Sequence, residues 1–70
     1  MLESTANIGQ LRSQLTAINR HAEAAFERAF DLQQAGAAAE RVEAAMQETE
    51  RLQERARQLR ERLGEQAALH

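Results

Sequence analysis

The chain has 70 residues, which limits it to one small domain, and it contains no cysteine, so disulfide bonds and thiolate metal sites are excluded. The formal net charge is −2, too small to draw nucleic acid or a membrane surface to the chain as a whole. No apolar run approaches the roughly 20 residues that span a bilayer, and the first residues lack the basic and apolar segments of a secretion signal. We therefore expect a cytoplasmic protein.

The first predicted element is a helix from about residue 7 to residue 34. Asn7 is the preferred N-cap, because Gln10 follows it at the spacing of a capping box. Apolar residues then recur at helical spacing within an arc of about 120°. The spacing admits either of two neighbours at three places: Ala25 or Phe26, Ala29 or Phe30, and Leu32 or Gln33. The apolar seam predicted on this helix consists of Ile8, Leu11, Leu15, Ile18, Ala22 and Phe26.

Gly36 predicts a tight turn at residues 35–37, within Gln34–Ala37, because glycine adopts a left-handed backbone conformation without steric cost. The alternative is one continuous helix, since alanines surround this glycine. We prefer the turn. A connection this short makes its two helices antiparallel neighbours.

The second predicted helix covers residues 38–63, and residues 64–70 are expected to be frayed. Gly64 either ends this helix or is tolerated inside it at a cost of about 1 kcal/mol. The apolar residues alternate at spacings of three and four, as in a coiled coil, with one polar member. The seam predicted on this helix consists of Val42, Ala45, Thr49, Leu52, Ala56, Leu59 and Leu63.

The sequence thus predicts an all-α antiparallel helical hairpin that forms a single domain over residues 1–70. Its long aliphatic side chains are too many for one two-helix contact, so we expect two hairpins to form a homodimeric four-helix bundle. The turn end (residues 23–50) carries a charge of −5, whereas the rest of the chain is basic. This distribution favours a head-to-tail dimer, with exposed charges biasing orientation more than stability.

Two sets of residues are candidates for binding a partner. Arg51, Arg55 and Arg62 are expected on a face opposite the seam, where they could contact phosphates. The simpler interpretation of this arginine run is a solvated helix stabilised by ion pairs. Phe30 and Met46 near the turn could instead anchor a partner protein, although an aromatic residue here could equally fill the bundle core.

No catalytic or metal-binding constellation is evident in the sequence. The chain has no glycine-rich phosphate loop, and its two histidines lack further ligands at metal-site spacing. A two-helix arm also offers no deep pocket for a substrate. We therefore expect no catalysis, no cofactor, no metal and no small-molecule substrate.

Two families resemble this chain in outline. In its length and expected hairpin, the chain resembles the plasmid-encoded Rop regulator, and that resemblance implies an antiparallel dimer that binds RNA. In Ala35-Gly36 and residues 42–52, it is similar to the small co-chaperones of type III secretion needle subunits, and that resemblance implies a partner helix as ligand.

The function that we expect is a small non-enzymatic protein-interaction module, acting as an adaptor, a co-chaperone or a phage- or plasmid-type inhibitor of a host protein. One alternative is a Rop-like nucleic-acid-binding regulator that uses the arginines of the second helix. Another is a structural coiled-coil component of a larger assembly.

Overall fold

The protein is a hairpin of two long α-helices. The computed structural model describes the backbone of residues 2–68 and the side chains of residues 8–66 and 68. Helix α1 (Leu2–Gln34) and helix α2 (Ala39–Ala68) pack side by side, and the Cα trace extends over 53 × 14 × 13 Å. The predicted all-α helical hairpin is confirmed, so the chain does not form one continuous helix.

Both helices are longer than the sequence predicted. Helix α1 begins at Leu2 rather than near residue 7, so Asn7 lies inside the helix. Leucine, glutamate and alanine precede Asn7 and are strong helix formers, and Gly9 costs only about 1 kcal/mol. Helix α2 passes through Gly64 and ends at Ala68, where a frayed segment was predicted. The remaining residues of that segment, Leu69 and His70, lie outside the described residues.

A hydrogen-bonded glycine turn ends α1. Gly36 has a φ of 75°, and its amide donates to the Gln33 carbonyl at 3.2 Å. The Ala37 amide donates to the Leu32 carbonyl at 2.9 Å. These are the two bonds of a Schellman motif, which satisfies carbonyl groups that the end of the helix leaves free. Leu32 and Ala37 are both part-buried, as expected for the hydrophobic contact that accompanies this motif.

Helix α2 begins without a side-chain cap. The Ala38 carbonyl accepts from the amides of Arg41 and Val42, but alanine has no side-chain oxygen for the free amides of the first turn. Glu40 lies in that turn, where the helix dipole favours a negative charge. The turn therefore depends on Gly36 and its backbone bonds more than on capping by α2.

We expect alanine at Gly36, in the turn, and at Gly64, inside α2, to change the free energy of unfolding in opposite directions. Gly36→Ala should lower the free energy of unfolding by about 1–2 kcal/mol, because alanine is disfavoured in the left-handed conformation. Gly64→Ala should raise it by up to about 1 kcal/mol, because this glycine is helical and a Cβ there would meet nothing within 4 Å. Urea unfolding followed by circular dichroism measures both. A loss of stability from Gly64→Ala would contradict a helix that continues past Leu63.

The two helices meet along an uninterrupted heptad seam. On each helix the seam positions alternate strictly at spacings of three and four, and all of them are buried or part-buried. Apart from these positions, every described side chain is exposed except those of Ala37 and Glu48. The seam consists of Ile8, Leu11, Leu15, Ile18, Ala22, Ala25, Ala29 and Leu32 on α1, and of Val42, Ala45, Thr49, Leu52, Ala56, Leu59, Leu63 and Gln66 on α2.

Phe26 was predicted in this seam, but it lies outside the contact between the two helices. Phe26 is 60% exposed, whereas the preceding Ala25 is 5% exposed and takes the seam position. The reason is the register, because the alternation from Ala22 continues through Ala25 and Ala29 to Leu32. The helices pack through these alanines, and the phenylalanine is left one residue to the side.

Between Leu32 and Val42 at the turn and the leucines of the open end, the seam is built from small residues. The open end contains Leu59, whose side chain is fully buried, and Leu11. The part nearer the turn buries Ala25, Ala29 and Thr49, and small side chains at a helix contact allow the axes to come closer. The Thr49 hydroxyl donates to the Ala45 carbonyl at 2.9 Å, so this buried polar group is satisfied within its own helix.

Within the part of the chain that the structure describes, no helix combines the length and the apolar character needed to cross a membrane.

Candidate protein-binding surface

Three large apolar side chains lie exposed near the turn. Phe26 is 60% exposed, Met46 is 50% exposed and Phe30 is 46% exposed. We call these three residues the apolar patch. Large apolar side chains of a small domain are usually buried, and a group of exposed ones commonly marks an interaction site.

All three patch residues lie on the same side of the seam. Phe26, Phe30 and Met46 each directly follow a seam alanine in the sequence. In an antiparallel pair, residues that follow seam positions lie on one flank of both helices, and residues that precede them lie on the other. We call the flank formed by the residues that follow seam positions the patch flank. A surface depression on this flank is lined by Gln33 of α1 and Met46 of α2, which shows that the two helices border it together.

The opposite flank carries most of the arginines, and we call it the arginine flank. Arg28 of α1 and Glu48 of α2 both precede seam residues, and their Nη1 and Oε1 atoms lie 3.9 Å apart. This pair joins the two helices on the arginine flank. Both groups are substantially exposed, so the pair orients the helices more than it stabilises them.

Acidic side chains border the apolar patch. Glu27 and Asp31 line a depression together with the two phenylalanines. Glu43 lines the depression that includes Met46. We call Glu27, Asp31 and Glu43 the acidic rim. The patch is therefore flanked by carboxylates on both helices.

The basic residues of the turn end lie on the other flank. Residues 23–50, all of which the structure describes, contain two arginines, Arg28 and Arg41. Each directly precedes a seam residue, which places it on the arginine flank. Asp31 also directly precedes a seam residue, so it borders both the apolar patch and the arginine flank, whereas Glu43 follows a seam residue and lies on the patch flank.

The arginine run of α2 is divided between the two flanks. Arg62 lines a depression with the seam residue Leu11, so it borders the seam and does not lie opposite it as predicted. Arg51 and Arg55 also precede seam residues, on the arginine flank, but Arg51 lines a depression with Gln47, Glu50 and Glu54, none of which belongs to the seam. Arg57 and Arg60 line a depression on the patch flank instead. The structure therefore does not combine the five arginines into one continuous basic face.

Arg57 is engaged by two glutamates of its own helix. Its Nε donates to Glu54 Oε1 at 3.1 Å, and its terminal nitrogens form ion pairs with Glu54 and Glu61. The hydrogen bond from Arg57 lowers the pKa of the Glu54 carboxyl, and the same bond raises the pKa of Arg57. These side chains are about half exposed, so the network belongs to a solvated helix face whose charges are locally balanced.

No group of three or more histidine, cysteine or acidic side chains that could hold a metal ion occurs among the described residues. The surface depressions are shallow and open, and each is lined by side chains of one or both helices.

The sequence singled out Phe30 and Met46 as partner-binding candidates but assigned Phe26 to the core. The structure places all three on the patch flank. The signal that could have separated Phe26 from the core was present in the sequence, since only Ala25 and Ala29 preserve the strict spacing of the seam.

No protein-family model, no curated protein and no solved structure matches this chain.

Proposed function

We propose that this protein is a small non-enzymatic protein-interaction module whose patch flank docks on a partner protein. The observation that carries the proposal is the apolar patch: Phe26, Phe30 and Met46 lie exposed beside a seam that the two helices already fill. Adaptor, co-chaperone and inhibitor are roles in which such a surface would serve. Self-association into a four-helix bundle stays a prediction.

The size of the patch favours a dissociable complex. With about 200 Å² for each phenylalanine side chain, the two rings leave roughly 200 Å² exposed, whose burial contributes about 5 kcal/mol. Association itself costs an estimated 4 kcal/mol or more, and a standard interface buries about 800 Å² per partner. The partner must therefore also contact polar residues around the patch, and we expect binding to be transient.

The arginine run gives less support to a nucleic-acid-binding function. Its arginines are split between the flanks, and Arg57 is held by Glu54 and Glu61. The two phenylalanines, the only aromatic residues of the chain, lie at the turn end, away from the arginine run. Single-stranded nucleic acids are usually bound where aromatic and basic side chains alternate.

Site-specific photo-crosslinking in the source cell tests the proposed function. The probe p-benzoylphenylalanine is placed at residue 30 in one variant and at residue 55 in a matched control on the arginine flank. We expect protein adducts of discrete mass from residue 30 and not from residue 55. Nuclease-sensitive adducts at residue 55, with none at residue 30, would instead favour nucleic-acid binding and overturn the proposal.

A further inference from the structure

The acidic rim restricts the kind of partner that fits the patch flank. Glu27 and Asp31 border the two phenylalanines on α1, and Glu43 borders Met46 on α2. We propose that the apolar patch docks a cationic amphipathic helix, whose apolar stripe covers the patch and whose lysines or arginines face the acidic rim. This inference rests on the proposed function and adds the chemistry of the partner.

The spacing of the patch fits one face of a helix. Phe26 and Phe30 lie one helical turn apart on α1 and line one depression, and Met46 of α2 lines a second depression on the same flank. Side chains at positions i, i+3, i+4 and i+7 of a partner helix form a stripe of matching width. The depression lined by Ala37, Ala39 and Val42, with Met46 at its edge, offers a small apolar floor for one leucine-sized side chain.

The rim charges act on both edges of such a stripe. Because acidic groups occur on α1 and on α2, a docked helix meets carboxylates along both sides. Arg28 and Arg41, the two arginines of residues 23–50, both lie on the arginine flank, and Arg28 is already paired with Glu48 there. Basic residues on each side of the apolar stripe would therefore be attracted, and acidic ones repelled.

A second copy of this chain fits the patch less well. If two patches faced each other, the turn ends would be apposed, and each carries a charge of −5. If the turn end met the open end of another copy, the charges would complement each other. The phenylalanines would then lie against polar residues of that patch flank, such as Thr16, Asn19 and Gln53. Neither arrangement both buries the apolar patch against apolar side chains and places basic residues beside the acidic rim.

Fluorescence anisotropy with synthetic peptides tests the inference. The probe is a labelled helical peptide of about 16 residues, long enough to cover the patch, with a leucine stripe bordered by lysines. A peptide with the same stripe and glutamates in place of the lysines is its control. We expect the lysine peptide to bind at least about 10-fold more tightly than the glutamate peptide, and added salt to reduce the difference.

Variants of the protein distinguish the contribution of the apolar patch to peptide binding from that of the acidic rim. Phe26→Ser should weaken binding of the lysine peptide about 10-fold or more, through the loss of apolar contact. Glu27→Lys should weaken it several-fold and reduce the preference for lysine over glutamate. Glu65→Lys makes the same change of charge at the open end, away from the patch, and should leave binding unchanged. Circular dichroism on each variant verifies that the hairpin is retained.

Three outcomes would overturn the inference. Equal affinities of the two peptides would show that the charges beside the leucine stripe do not affect binding. Equal effects of Glu27→Lys and Glu65→Lys would show that the acidic rim has no special role in attracting the lysines. A dimer in sedimentation experiments that Phe26→Ser dissociates would show that a second copy occupies the patch. Adducts of residue 30 with a different protein, together with either of the first two results, would leave the proposed function standing and reject only the cationic helix.

Discussion

Replacing Leu59 with alanine is expected to lower the free energy of unfolding by about 2–5 kcal/mol. Leu59 is fully buried, with no exposed surface, and it lies at the seam of α2. The substitution removes apolar contact and leaves a cavity that two rigid helices fill only partly. A domain of this length is stabilised by only about 4–10 kcal/mol, so the variant should be partly unfolded at physiological temperature.

Thermal and urea unfolding followed by circular dichroism measure this effect. Met46→Ala is the matched control, because methionine is similar in size to leucine and Met46 is half-exposed on the patch flank. We expect Met46→Ala to lower the free energy of unfolding by less than about 1 kcal/mol. Equal losses from the two substitutions would contradict the assignment of Leu59 to the seam and of Met46 to the surface.

A larger side chain at Ala25 is also expected to destabilise the hairpin. Ala25→Leu should lower the free energy of unfolding by about 1–3 kcal/mol, because Ala25 is 5% exposed and lies in the part of the seam built from small residues. The added atoms would force the helices apart or push the leucine into an unfavourable rotamer. Leucine is itself a strong helix former, so the loss cannot be attributed to helix propensity.

The neighbouring alanine provides the control for this substitution. Ala24→Leu introduces the same side chain one residue earlier, at an exposed position, and should change the free energy of unfolding by less than about 0.5 kcal/mol. Chemical denaturation of both variants gives the comparison. If Ala25→Leu were neutral or stabilising, the seam would have room that the structure does not show, and Phe26 could then belong to the core.

Much of the fold was predictable because each helix repeats a simple pattern. Gly36 between two apolar repeats indicated a turn, and the spacing from Val42 to Leu63 predicted the seam of α2. The ends of the helices were harder to predict, since Gly9 and Gly64 are unfavourable within a helix but do not stop one whose neighbours favour it. Helix ends of this kind depend on differences of about 1 kcal/mol in the free energy of helix formation.

The apolar patch was only partly predictable. Phe30 and Met46 were recognised as candidates because they are large apolar side chains near the turn, but the preference for burying aromatic side chains drew Phe26 into the predicted core. The flank on which each side chain lies depends on the register between the helices, as does the acidic rim. Helical spacing within one helix does not fix that register.

The change from small to large residues along the seam has a consequence for how the hairpin closes. Contacts near Gly36 close short loops, whereas contacts such as those of Leu11 and Leu59 close much longer ones, at an entropic cost of about 0.6 kcal/mol for each doubling of loop length. Next to Leu32 and Val42 at the turn, Ala25, Ala29 and Ala45 thus lie in the half of the seam where closure is easier, and Leu11 and Leu59 lie in the half where it is harder. Because burying a leucine contributes about 1.5–3 kcal/mol, the larger side chains offset the greater cost. The open end is therefore held nearly as firmly as the turn, and the hairpin should unfold in a single cooperative step.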